Sequence, residues 1–100
     1  IEEPTQNSAT AALGMIYPNP VFDKAIIPFT LIKQQHVKVQ ILDLCGKTVK
    51  TLVNSVFQEG SHKVEWNGTD DRGADLPGGI YFCRLKTEDV VLQNKVVLVK

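Results

Sequence analysis

Between His36 and Asp43 the chain alternates without a break, with Val37, Val39 and Ile41 pointing one way and Lys38 and Gln40 the other. Side chains two residues apart share a face only in extended backbone, so this stretch predicts a strand with one buried and one solvated face. The same period returns along the chain. Ile27, Phe29 and Leu31 share a face within residues 25–32, His62, Val64 and Trp66 within 61–66, and Tyr81, Cys83 and Leu85 within 80–85. Gly, Pro, Asn and Asp separate these runs, while helix signals are weak throughout. The rhythm predicts an all-β fold, an immunoglobulin-like antiparallel β-sandwich of about seven strands.

The punctuation refines that picture. Residues 13–17 form a short first strand that Tyr17-Pro18-Asn19-Pro20 must end, because two prolines remove two donors and fix two φ angles. Pro28 cannot donate to a ladder, so residues 25–32 are expected to form an edge strand. Asp43-Leu44-Cys45-Gly46 reads as a tight turn that folds residues 47–53 back as a hairpin. Val49 and Leu52 lie three apart in that strand, which predicts a bulge or an early end. Residues 67–75 make a polar loop closed by Pro77-Gly78-Gly79. Ile80 and Phe82 add apolar groups opposite Tyr81, Cys83 and Leu85, as in a central strand whose start is covered on two faces. A last strand spans 90–99, its Val96-Val97-Leu98-Val99 body flanked by Lys95 and Lys100 as edge strands are flanked to resist unwanted pairing.

Composition narrows the function. One hundred residues suit a single domain, and 43% hydrophobic with 22% charged residues is the balance of a folded globular chain. Eleven basic and eleven acidic residues cancel, so no overall field exists to hold a nucleic-acid backbone or an anionic membrane. The apolar runs fall far below the roughly 18 residues of a membrane span, and no secretory signal starts at Ile1, so any such signal is expected upstream. Residues 1–12 read as a flexible linker from an upstream cargo, and residues 13–100 as the domain. Cys45 in a turn and Cys83 in a strand are expected to be unpaired structural thiols.

No constellation of catalytic residues stands out. Asp70, Asp71 and Asp75 lack the spacing of a calcium loop and read as a solvated turn. His36, His62, Cys45 and Cys83 hold the residue types of a zinc site without its short ligand spacing. No nucleophile elbow is present, and Glu59 and Glu65 read as surface carboxylates, so no enzyme, cofactor, metal or small-molecule substrate is expected. Asn67-Gly68-Thr69 fits a glycosylation sequon but reads as a turn. Tyr81-Phe82-Cys83 has the Tyr-x-Cys of an antibody-type strand, yet Cys45 sits in a turn, which argues against a true antibody-type domain.

Taken in order, Tyr17-Pro18-Asn19-Pro20, Ile27/Phe29/Leu31, Val39-x-Ile41-x-Asp43-x-x-Gly46-x-x-Val49-x-x-Leu52, Gly60-x-His62, Trp66-Asn67-Gly68-x-Asp70-x-x-Gly73, Leu76-x-x-Gly79-Ile80-Tyr81 and the closing Lys95-to-Lys100 strand carry a resemblance. The chain resembles the type A C-terminal sorting domains of type IX secretion cargo in Bacteroidetes, relatives of hook-capping immunoglobulin-like domains. The resemblance implies an address rather than a catalyst: a domain that directs a folded cargo from the periplasm across the outer membrane to the cell surface or medium. It implies the outer-membrane translocon and a sortase as partners, with cleavage before Leu13 and surface attachment. By position it assigns recognition to Gly79 and to Lys95, Val96, Val97, Leu98, Val99 and Lys100, and the start of the folded signal to Pro18, Asn19 and Pro20. A terminal strand of this kind can be read by strand addition or by a complementary groove. The competing reading is a non-catalytic spacer or binding module of a surface enzyme. That reading needs an exposed aromatic platform, for which Tyr17, Trp66 and Tyr81 are the candidates, and alternation already places Trp66 on a core face.

Overall fold

The computed structural model describes residues 6–100, and among these it holds eight strands and no helix. They are β1 (Gln6–Asn7), β2 (Ala11–Leu13), β3 (Ala25–Leu31), β4 (Gln35–Leu42), β5 (Thr48–Phe57), β6 (Gly60–Trp66), β7 (Gly79–Lys86) and β8 (Val91–Leu98). All pair antiparallel, in two four-stranded sheets ordered β1-β2-β3-β6 and β5-β4-β7-β8. This is the sandwich that the two-residue period predicts.

The inner faces are those the alternation assigns. Leu13, Ile27 and Phe29 from one sheet meet Val37, Val39, Ile41, Cys83, Leu85 and Val96 from the other, all buried. Trp66 lies among them with its indole N–H donating to the Thr69 carbonyl at 3.0 Å and its ring edge-on to Tyr81 at 5.8 Å. Toward the other end of β6, His62 stacks on Phe29 at 5.3 Å, and Phe57 meets both rings edge-on.

Asp43 closes the β4–β5 turn as expected, its carboxylate accepting from the N–H groups of Cys45 (2.9 Å) and Lys47 (3.0 Å). The bulge foreseen near Val49 and Leu52 is present as two register shifts, between Val39 and Gln40 and between Ile41 and Leu42. Strand β5 runs on to Phe57, beyond the expected end at residue 53, because exposed Asn54 and Ser55 still pair with Lys38 and Val37.

Three expectations are corrected. The linker reading of residues 1–12 meets β1 and β2 at its end: Asn7 pairs with Ala12, and Ala11 is buried against the core. Small side chains carry little periodic signal, so strands of two and three residues escape notice; residues 1–5 lie outside the described residues. Strand β3 is central, with β2 on one side and β6 on the other. Pro28 is tolerated there because its neighbour leaves the ladder at that point: Gly14 donates to the Pro28 carbonyl at 2.8 Å, and pairing resumes only at the Tyr17–Ile26 bridge. Strand β7 is central, but its start is not covered on both faces, since Ile80 is exposed and Phe82 half-buried.

Candidate functional site

The fold brings the two segments singled out by the sequence into contact. Pro18 and Pro20 are exposed and hold Asn19 between two cis X–Pro bonds. The Asn19 side chain reaches the outer edge of β8, where its Nδ2 donates to the Lys95 carbonyl and its Oδ1 accepts from the Val97 N–H, both at 3.1 Å. One side-chain amide thus supplies the donor and acceptor that a neighbouring peptide group would supply in a ladder. Val21 continues the mimicry in a parallel bridge to Leu98, donating to the Val97 carbonyl at 2.7 Å and accepting from the Val99 N–H at 2.8 Å. Its side chain is fully buried.

On the inner side of β8, Gly79 opens β7 opposite Leu98. Its φ of 155° is one that side-chain-bearing residues rarely adopt. Gly78 is closer still: a Cβ there would stand 3.1 Å from both the Leu98 carbonyl oxygen and the Lys100 nitrogen. The closing segment therefore lies pressed between the Gly78-Gly79 corner and the Asn19–Val21 segment. Val96 and Leu98 point into the core, Val97 is half-buried, and Lys95, Val99 and Lys100 face solvent. Lys100 forms an ion pair of 3.6 Å with Asp75, which anchors the end of the chain to the polar loop. Beside this corner, Asp43, Leu44, Cys45, Ile80 and Tyr81 line an open groove of about 270 Å³.

The other candidates go elsewhere. Asp70 accepts from the N–H groups of Arg72 and Ala74, and Asp71 from that of Thr51, so the acidic loop spends two of its carboxylates on its own construction. Among the described residues no cluster of three metal-ligating side chains forms. Cys45 is exposed in its turn and Cys83 buried in β7, and both are free. Burial pushes the Cys83 thiol up to about 12. Asn67 accepts from the Thr69 hydroxyl at 2.6 Å, a turn contact within the sequon. Trp66 and Tyr81 are buried, and the Tyr81 hydroxyl, its pKa raised by desolvation and then by Asp43, donates to the Pro77 carbonyl at 2.6 Å. Of the three aromatic rings that a binding platform needed, only Tyr17 is exposed.

Sequence reasoning missed Val21, Gly78 and Asp71 as structural parts of this sheet. An apolar residue directly after Pro-Asn-Pro was the available signal for Val21, since a turn ending in solvent has no use for a fully buried valine.

The family model for the secretion system C-terminal sorting domain matches residues 15–100. No curated protein sequence matches the chain. Among solved structures, dimeric latent PorU from Porphyromonas gingivalis superposes with a TM-score of 0.68 at 21% identity, over 89% of this chain and 9% of PorU. PorZ, an essential surface component of the type-IX secretion system of the same organism, gives 0.61 at 19% identity, over 88% of this chain and 11% of PorZ. The chain thus spans about a tenth of either protein, and at such identities the likeness speaks for the fold. The match across residues 15–100, on a sandwich whose opening motif grips its closing strand, places the chain in the family of C-terminal sorting domains, the sorting signals of type IX secretion.

Proposed function

We propose that the recognised element is the composite of Pro18-Asn19-Pro20, Gly79 and the segment from Lys95 to Lys100, read as one surface by the outer-membrane translocon and then by a sortase. The observation that carries this reading is the pair of Asn19 hydrogen bonds to Lys95 and Val97, which makes the shape of the closing strand depend on the opening motif. A signal of this design reports that its domain has folded. Neither segment adopts this arrangement alone, because the partners are 76 and 78 residues apart.

The hydrogen bonding also favours one mode of reading over the other. Between Lys95 and Val99 the outer edge of β8 is already engaged by Asn19 and Val21, so a strand added there has to displace them. A complementary groove that accepts the covered edge leaves them in place. The domain acts as an address without catalysis, passing the periplasm with its cargo. We place any processing on the N-terminal side of β1, since Ala11–Leu13 is held in a ladder and poorly presented to a protease.

A reporter fused ahead of this chain tests the reading in a type IX-competent bacterium. The intact fusion should reach the surface or medium, and deletion of Lys95 to Lys100 should hold it in the periplasm. That deletion also removes the core residues Val96 and Leu98, so Asn19→Ala and Lys100→Ala are the sharper variants. Full export of a folded Asn19→Ala fusion would overturn the composite, and full export after the deletion would overturn the address itself.

A further inference from the structure

The chain is neutral as a whole, yet its charges are not shared evenly between the sheets. The four strands β4, β5, β7 and β8 contain Lys38, Lys50, Arg84, Lys86 and Lys95 and not one Asp or Glu. In the other sheet the charges balance, with Lys63 and Glu65 both on β6. On the outer face of the basic sheet, Lys38 and Lys86 stand directly opposite each other across β4 and β7, and the next pair on that face sets Arg84 against Gln40. Like charges at directly opposed positions destabilise a sheet, because their Cβ atoms lie only about 5 Å apart.

Nothing in the described residues relieves this. No carboxylate pairs with Lys38, Arg84 or Lys86, and Glu88, at the rim of a shallow groove with His36, Lys38 and Lys86, stays beyond ion-pair distance. Arg84 donates one bond to the Gln40 side chain at 3.2 Å, while its buried Nε has no partner. An unfavourable arrangement of this kind is what an interaction surface looks like before its partner arrives, since the partner supplies the missing charge.

We propose that the outer face of sheet β5-β4-β7-β8, centred on Lys38, Arg84 and Lys86, is the docking surface for a carboxylate-rich protein face of the export machinery. This rests on the sorting reading above and adds the chemistry of the partner. Half-buried Phe82 and Val97 and the amides of Gln40 and Gln93 interleave with the cations. That mixture matches a protein surface, with apolar and hydrogen-bonding groups beside its carboxylates, better than a plane of phosphates. The face also runs onto β8, so the cations and the closing strand are presented together.

The test titrates the purified chain with poly-L-glutamate at low and physiological salt. Binding should be measurable, weaken with salt, and fall at least about tenfold in Lys38→Glu/Lys86→Glu, while Lys63→Glu on the opposite sheet leaves it unchanged. The single variant Lys86→Glu places a carboxylate opposite Lys38, so it should melt no lower than the wild type and still bind less well; Lys86→Arg should retain binding. Equal affinity in the wild type and the double variant overturns the proposal. Binding to phosphatidylglycerol vesicles but not to poly-L-glutamate overturns its protein partner in favour of a lipid phosphate. In the reporter assay, equal export of wild-type and Lys38→Glu/Lys86→Glu fusions overturns this proposal alone. Failure of the wild-type fusion to leave the periplasm overturns the sorting reading, and the titration still decides the surface.

Discussion

Sheet β5-β4-β7-β8 has two edge strands, and loops close both with an Asn or Asp side chain that stands in for a missing strand. At β8 the amide of Asn19 gives both donor and acceptor, and Val21 adds two backbone bonds. At β5 the work is divided: the Asp71 N–H donates to the Val49 carbonyl at 3.1 Å, and its carboxylate accepts from the Thr51 N–H at 2.9 Å. The strands beneath differ more than the covers. Strand β8 alternates cleanly into the core, whereas β5 is half-buried at best and exposed over Asn54, Ser55 and Val56. At β5 a loop covers a half-buried strand, whereas at β8 the cover lies over a strand fixed in the core.

The largest expected difference follows from burial. Leu98 is 2% exposed, so Leu98→Ala removes buried methyl groups beside Gly68 and should cost about 2–5 kcal/mol by denaturant unfolding. Val56 on β5 is 57% exposed, and Val56→Ala should stay within about 0.5 kcal/mol of the wild type. Comparable losses at the two sites would break the distinction between a supported edge and a merely blocked one.

Asn19→Ala comes next. It removes both halves of the peptide mimic and leaves a partly buried Val97 N–H without its acceptor, at a cost of about 1–3 kcal/mol. Asn19→Asp keeps the acceptor but sets a carboxylate against the Lys95 carbonyl, so it should recover little of the loss. Export of the reporter should track these values if the cover is part of the address.

Between the two edges, Cys83 on β7 reports on the closed interior. Its thiol is pushed up to about 12 from 9.0, so between those values the folded state keeps a proton that the unfolded state has lost. Stability is then unaffected below pH 9.0 and falls as pH rises toward 12. Tyr81, also raised, adds to the loss above pH 10.0. Cys83→Ala should flatten the alkaline slope, and identical slopes in variant and wild type would show that the interior opens to solvent.

The parts of this comparison differ in how plainly the sequence announces them. Alternation in β4, β6 and β7 yields the sandwich and its core because a buried face must repeat every two residues. The flanking lysines of Val96-Val97-Leu98-Val99 mark an edge strand for the same local reason. The Asn19 cover is not legible in this way, since Tyr17-Pro18-Asn19-Pro20 announces a turn but not what the turn lies against. Pro28 shows the converse: its missing donor is a local fact, whereas whether β3 is an edge or a central strand depends on where a distant segment leaves the ladder. The basic sheet is visible in the sequence only once topology shows which four strands share it.

The smallest effect belongs to the β5 edge and separates charge from geometry there. Asp71 is exposed, so its bond to the Thr51 N–H competes with water, and Asp71→Ala should cost only about 0.5–1.5 kcal/mol. The backbone donor to Val49 survives the change to alanine, which limits the damage further. Asp71→Asn retains an oxygen at the acceptor position and removes the charge. If the residue acts as a strand mimic, the asparagine variant should unfold within a few tenths of a kcal/mol of the wild type, as Asn19 shows that an amide suffices at the other edge. If its charge matters instead, through the neighbouring Arg72 and Lys47 that line the same 330 Å³ groove, the two variants should be equally destabilised and their loss should vanish at high salt.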